Sequence, residues 1–197
     1  MSGAIIVLAI YLAIFFIFNQ FFTEVKSVLG KKGYYFFYTL LEYFSLSTLI
    51  SLSISEKKFR PVYTVLSVLF SIFLIVFFFA VNIKRLDSIP IGIESIVLMI
   101  FIVFYFYFQL KNVSNQTLYD NFSFWLVLGI LIYIGFTFFF NILANSLNPD
   151  HFSKYYFYSF FGDILKNIIF LIGIIFLAKN SVNEKKNNPS IPYLDVI

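Results

Sequence analysis

The stretch VLMIFIVFYFYF, residues 97–108, decides the fold. Every position is aliphatic or aromatic, so neither a helix nor a strand built from it has a polar face to turn to water. In hydrocarbon the same stretch is at ease, provided its backbone hydrogen bonds close within the segment, which a helix achieves. FSIFLIVFFFAV, residues 70–81, reads the same way. A membrane β-barrel needs short segments that alternate apolar and polar residues, and neither stretch alternates.

Working outward, a bilayer core takes about 20 apolar residues of helix. Six runs of about that length fill the chain, near 4–22, 34–55, 62–83, 91–110, 123–143 and 155–178. The prediction is an all-α polytopic membrane protein, a bundle of six transmembrane helices over residues 1–178. A polar tail, 179–197, follows and is expected to be disordered. The composition agrees: 60% of residues are hydrophobic and 12% charged, against about 25% charged in soluble domains. The first run has neither the basic start nor the small-residue cleavage site of a signal peptide, and so reads as a permanent helix. The loops at 23–33, 56–61, 84–90, 111–122 and 144–154 are too short to fold alone.

Composition also excludes function classes. There is no Cys and a single His, His151, so disulfides, thiolate nucleophiles, Cys-ligated zinc and most His-based metal or triad chemistry are out of reach. No catalytic spacing of the GxSxG or HExxH kind is present, and no cofactor or metal site is read. The net charge of +4 comes from Lys and Arg at helix ends, which is membrane-flanking charge and not a nucleic-acid face. The expected surroundings are the lipid bilayer, with a separate signalling partner and a homo-oligomer both open.

Six spans put both termini on one side, here face A, with the loops after spans one, three and five on face B. Lys and Arg in short loops set orientation. Face A has Lys57, Lys58, Arg60, Lys111, Lys179, Lys185 and Lys186; face B has Lys26, Lys31, Lys32, Lys84, Arg85 and Lys154. Seven against six is nearly a tie. The basic tail and the tight Lys57-Lys58-x-Arg60 turn tip the expectation toward a cytoplasmic face A, in the cytoplasmic (inner) membrane.

Depth sorts the polar residues. At about 1.5 Å per residue, Glu42 and Asp163 each lie roughly 12 Å below face B. Glu94, Asn141 and Asn145 stand nearer that face, whereas the A half offers chiefly Ser, Thr and Tyr and is expected to be sealed. Intramembrane charge costs about 2.5–3.5 kcal/mol or more unless paired or hydrated. Asp163, Lys166 and Asn167 fall at i, i+3 and i+4, a spacing that permits an internal ion pair. Spans two and six are therefore expected to meet around Glu42, Lys166 and Asp163. Two readings stay open for the set Glu42, Glu94, Asn141, Asn145, Asp163, Lys166 and Asn167: a pocket open to face B, or a polar knot that fixes helix register. Along span five, Trp125, Gly129, Tyr133, Thr137, Asn141 and Asn145 recur every four residues, and the Trp125 end of this stripe reads as a helix interface.

IESIVLMIFIVFYFYFQLKN (93–112), SFWLVLGILIYIGFTFFF (123–140) and FGDILKNIIF (161–170) together resemble a group of small Bacteroidetes membrane proteins that are similar to the membrane sensor regions preceding histidine kinases. The likeness centres on Glu94-Ser95, Phe124-Trp125, Gly129, Tyr133 and Lys166-Asn167. It implies a sensory or regulatory subunit, and since no phosphoacceptor or ATP-binding domain follows span six, its output would pass to a separate protein. A small transporter or channel component using Glu42 and Asp163 is the alternative, and an intramembrane lipid enzyme comes last.

Overall fold

The computed structural model describes residues 2–54, 56–80, 88–111, 121–143 and 149–187, with side chains for 3–54, 56–80, 89–111, 121–138 and 160–179. Six helices run in chain order: α1 (Ser2–Gln20), α2 (Phe22–Ser53), α3 (Phe59–Ala80), α4 (Ser88–Lys111), α5 (Phe122–Leu143) and α6 (Pro149–Asn187). No strand occurs among the described residues. The segments Gly3–Gln20, Phe59–Ala80, Ile89–Lys111 and Phe160–Lys179 are each long and apolar enough to cross a bilayer, and Phe122–Phe138 is a shorter apolar helix. Their outward faces carry Ile72, Val76, Phe79, Val103, Leu171 and Ile175 exposed, an apolar surface that suits lipid and not water. The chain is a multi-pass, all-α membrane protein.

α2 is the centre. It packs against α1, α3, α4 and α5, whereas among the described residues the backbone of α6 comes close to α5 alone. Tyr43, Leu46, Leu49 and Ile50 of α2 are fully buried. That location suits the Glu, Tyr, Ser and Thr of α2, whose surroundings are protein and not lipid. Ser47 is fully buried too, as a small residue at a close helix contact should be.

Three boundaries correct the sequence reading. Residues 23–33 are not a loop. Helical hydrogen bonding continues past Gln20, with Phe21 N–H donating to the Ile17 carbonyl and Val25 N–H to that of Phe21, both at 2.9 Å. No breaker intervenes before Gly30, whose φ of 69° and ψ of 168° put the kink within α2; a side chain there would meet backbone that essentially only Gly adopts. The tail is also partly ordered, since α6 continues to Asn187. Its Lys and Glu are good helix formers, and no Pro interrupts before Pro189. The same helix starts early, at Pro149, the first-turn position Pro favours, so His151 lies in helix and not in a loop.

Candidate functional site

The α5–α6 contact sets the site. Added Cβ atoms at Gly162 and Gly173 would lie 2.9 Å from the Phe136 Cβ and 2.8 Å from the Trp125 Cβ, and one at Gly129 would lie 3.3 Å from the Lys166 carbonyl oxygen. Three glycines therefore let the two antiparallel backbones approach closely. Trp125 stacks on Phe176 with centroids 5.3 Å apart. The four-residue stripe read in span five is this interface from Trp125 to Thr137; Asn141 has helical backbone, but its side chain and all of Asn145 lie outside the described residues.

That approach brings the Tyr133 ring beneath Lys166, with Nζ 3.9 Å from the ring centroid. Lys166 is 2% exposed. Its Nζ donates to Asp163 Oδ1 and to Tyr11 Oη, each at 2.7 Å, so the ion pair expected from the i, i+3 spacing is formed. Tyr133 Oη donates to Glu42 Oε1 at 2.6 Å, and Glu42 is 4% exposed. One cation and two carboxylates from two helices, α6 and α2, with tyrosines from α1 and α5, make one cluster. Such groups are tolerated in the bilayer only when they face inward and pair; the hydrogen bonds and a desolvated cation–π contact, worth about 2 kcal/mol, supply that pairing.

α2 and α6 do not meet as the sequence suggested. Among the described residues their backbones make no close approach, and Tyr133 connects them, with its hydroxyl on Glu42 and its ring on Lys166. Asp163 sits at the margin, its side chain 43% exposed. Asn167 is exposed and leaves the cluster: the α5-facing side of α6 runs through Gly162, Lys166, Phe170 and Gly173, and Asn167 is turned about 100° from Lys166. Glu94 is buried, but on the other flank of α2. It acts electrostatically on Tyr43, whose hydroxyl shares a 2.9 Å hydrogen bond with Ser67 of α3. Glu42 and Tyr43 are sequence neighbours about 100° apart around the helix axis, so they serve different helices. The single B-side set is therefore divided by α2.

The A end is not sealed. A vestibule of about 390 Å³ opens there between the ends of α1, α2, α4 and α5, and Ser53, Glu56, Gln109 and Asn121 are among its lining residues. Gln109 Nε2 donates to Tyr105 Oη at 3.1 Å, and Asn121 Oδ1 caps α5 by accepting from Ser123 N–H at 3.0 Å. An apolar groove of about 600 Å³ runs along α4 from Ser95 to Tyr107 and reaches Phe138 of α5. Neither cavity is lined by the Lys166 cluster. Among the described residues no three His, Asp or Glu side chains converge to hold a metal ion.

Tyr11 is the member that sequence reasoning missed. The signal was present: between Gly3 and Phe18 it is the only side chain with a polar atom. Comparison with known protein families, curated proteins and solved structures finds no match.

Proposed function

We propose that the chain is a sensory or regulatory membrane subunit in which α6 is the moving part and the Lys166 cluster its latch. The observation that carries this reading is the mode of attachment of α6. Among the described residues its backbone packs on one helix, and it reaches α1 through the Lys166–Tyr11 hydrogen bond between side chains. It also extends past the membrane span, from Lys179 to Asn187 at face A, where movement would meet a separate partner. An ionic amphiphile entering beside the half-exposed Asp163 would compete for Lys166, loosen the latch and free α6 to shift, the two-state element a relay requires. Placement in the cytoplasmic membrane with both termini cytoplasmic belongs to the same reading.

The chain has no Cys, so labels can be introduced without background. Spin labels at Ile10 and Ile168, both exposed, report the α1–α6 distance in lipid nanodiscs. An ionic amphiphile should lengthen or broaden that distance in the wild type, and Lys166→Met should do so without ligand. An unchanged distance in a folded Lys166→Met protein refutes the latch.

A second reading, proton or cation transport, is favoured by the run of ionisable and hydroxyl groups from Asp163 through Lys166 and Tyr133 to Glu42. Proteoliposome flux that disappears in both Asp163→Asn and Glu42→Gln would select it over the latch.

A further inference from the structure

Between the end of α1 and the kink at Gly30 the chain exposes large apolar side chains at the very edge of the bundle. Val28 is 83% exposed, and Phe21, Phe22 and Leu29 are exposed as well. At about 100° per residue, Phe21, Phe22, Val25, Val28 and Leu29 fall within one sector of roughly 120°, while Thr23, Glu24, Lys26 and Ser27 occupy the remainder. The segment is amphipathic, although composition alone reads it as a polar loop.

Ring contacts fix where it lies. Phe18 faces both Tyr34 and Tyr38, and Phe22 faces Tyr34 with centroids 5.0 Å apart. From Thr23 to Lys32 every residue is exposed except the half-buried Val25 and Lys26, so this stretch stands at the rim of the α1–α2 hairpin, beyond the Phe22–Tyr34 contact. Lys26 folds back over Phe22, its Nζ 4.9 Å from the ring centroid, and Lys31 and Lys32 follow the kink, both exposed. Three lysines thus accompany one glutamate over residues 21–33.

We infer that this segment is an interfacial helix that rests its Phe21, Phe22, Val28 and Leu29 face in the headgroup boundary and binds anionic phospholipid through Lys26, Lys31 and Lys32. Position and charge select this occupant. An apolar face at the rim of a membrane bundle meets lipid before any other surface, and basic residues at that depth are drawn to anionic headgroups, about fivefold in affinity for each. The kink at Gly30 sets this first part of α2 apart from the rest of the helix, and Lys31 and Lys32 follow it directly. The inference is independent of the latch at Lys166.

The test uses the full chain in nanodiscs of phosphatidylcholine, with or without phosphatidylglycerol. In a Trp125→Phe background, Val28→Trp places the sole indole on the exposed face. Its emission should be blue-shifted, quenched by brominated lipid and protected from aqueous acrylamide, with quenching stronger when phosphatidylglycerol is present. Replacing Lys26, Lys31 and Lys32 together by Gln should remove that lipid dependence. An indole quenched by acrylamide and blind to brominated lipid overturns the inference, and so does lipid quenching that is equal in neutral and anionic discs.

Discussion

Lys166 carries the clearest residue-scale consequences, because a cation 2% exposed is held by named groups on both sides. Lys166→Ala leaves Glu42 and Asp163 without their cation, and removing one partner of a fully buried pair costs about 3–5 kcal/mol, an upper bound here because the Asp163 side chain is 43% exposed. Unfolding free energy in bicelles should fall by that order. Combining Lys166→Met with Asp163→Asn and Glu42→Gln should cost less than Lys166→Ala alone, since no charge is then stranded. Tyr133→Phe loses a hydrogen bond to Glu42 and should cost about 0.6–2 kcal/mol, the range for polar contacts between membrane helices. Glu42, Asp163 and Lys166 were legible in the sequence because charge at that depth demands an internal partner. Tyr11 was harder to single out, since the chain has 14 tyrosines and none announces its partner.

At the scale of elements, the α5–α6 pair depends on glycine. Gly162→Ala and Gly173→Ala push a methyl group against the Phe136 and Trp125 Cβ atoms, which side-chain rotation does not relieve. Each should destabilise by about 1–3 kcal/mol, the usual cost of overpacking, and widen the helix pair in a spin-label measurement. Gly135→Ala is the control: a Cβ there meets nothing within 4 Å, and stability should be unchanged or slightly raised by better helix propensity. Span positions follow from hydropathy, but the extent of α2 and α6 does not. Hydropathy records where the membrane ends, whereas a helix continues until its backbone geometry is broken, so α2 begins at Phe22 and only kinks at Gly30, and α6 runs on to Asn187.

For the whole molecule, orientation rests on the small margin of seven basic residues on face A against six on face B. Lys57→Gln with Lys58→Gln reverses that margin. A C-terminal reporter with side-specific activity should then move toward the opposite side of the membrane, as the loop-charge rule requires; a reporter that stays put would show that the first helix or the interfacial segment governs insertion. The arrangement around α2 gives the molecule two halves that differ in attachment. α1, α3, α4 and α5 all pack on α2, while α6 packs on α5 and is pinned from the side by Lys166.

The sequence by itself determined that the chain is helical and membrane-spanning, because runs such as residues 97–108 leave the backbone no other way to satisfy its hydrogen bonds in hydrocarbon. Counting residues along each helix also singled out Glu42, Glu94 and Lys166, which are buried, and Asp163, which stays at the margin with its side chain 43% exposed. Tertiary structure alone decided which helices share those groups. A helix periodicity tells which residues lie on one face but not which neighbour that face meets, so Glu42 and Glu94, both in the B half, went to opposite flanks of α2. The same freedom made Tyr133 the link between Glu42 and Lys166, and opened the polar vestibule at the end where the sequence had suggested a seal.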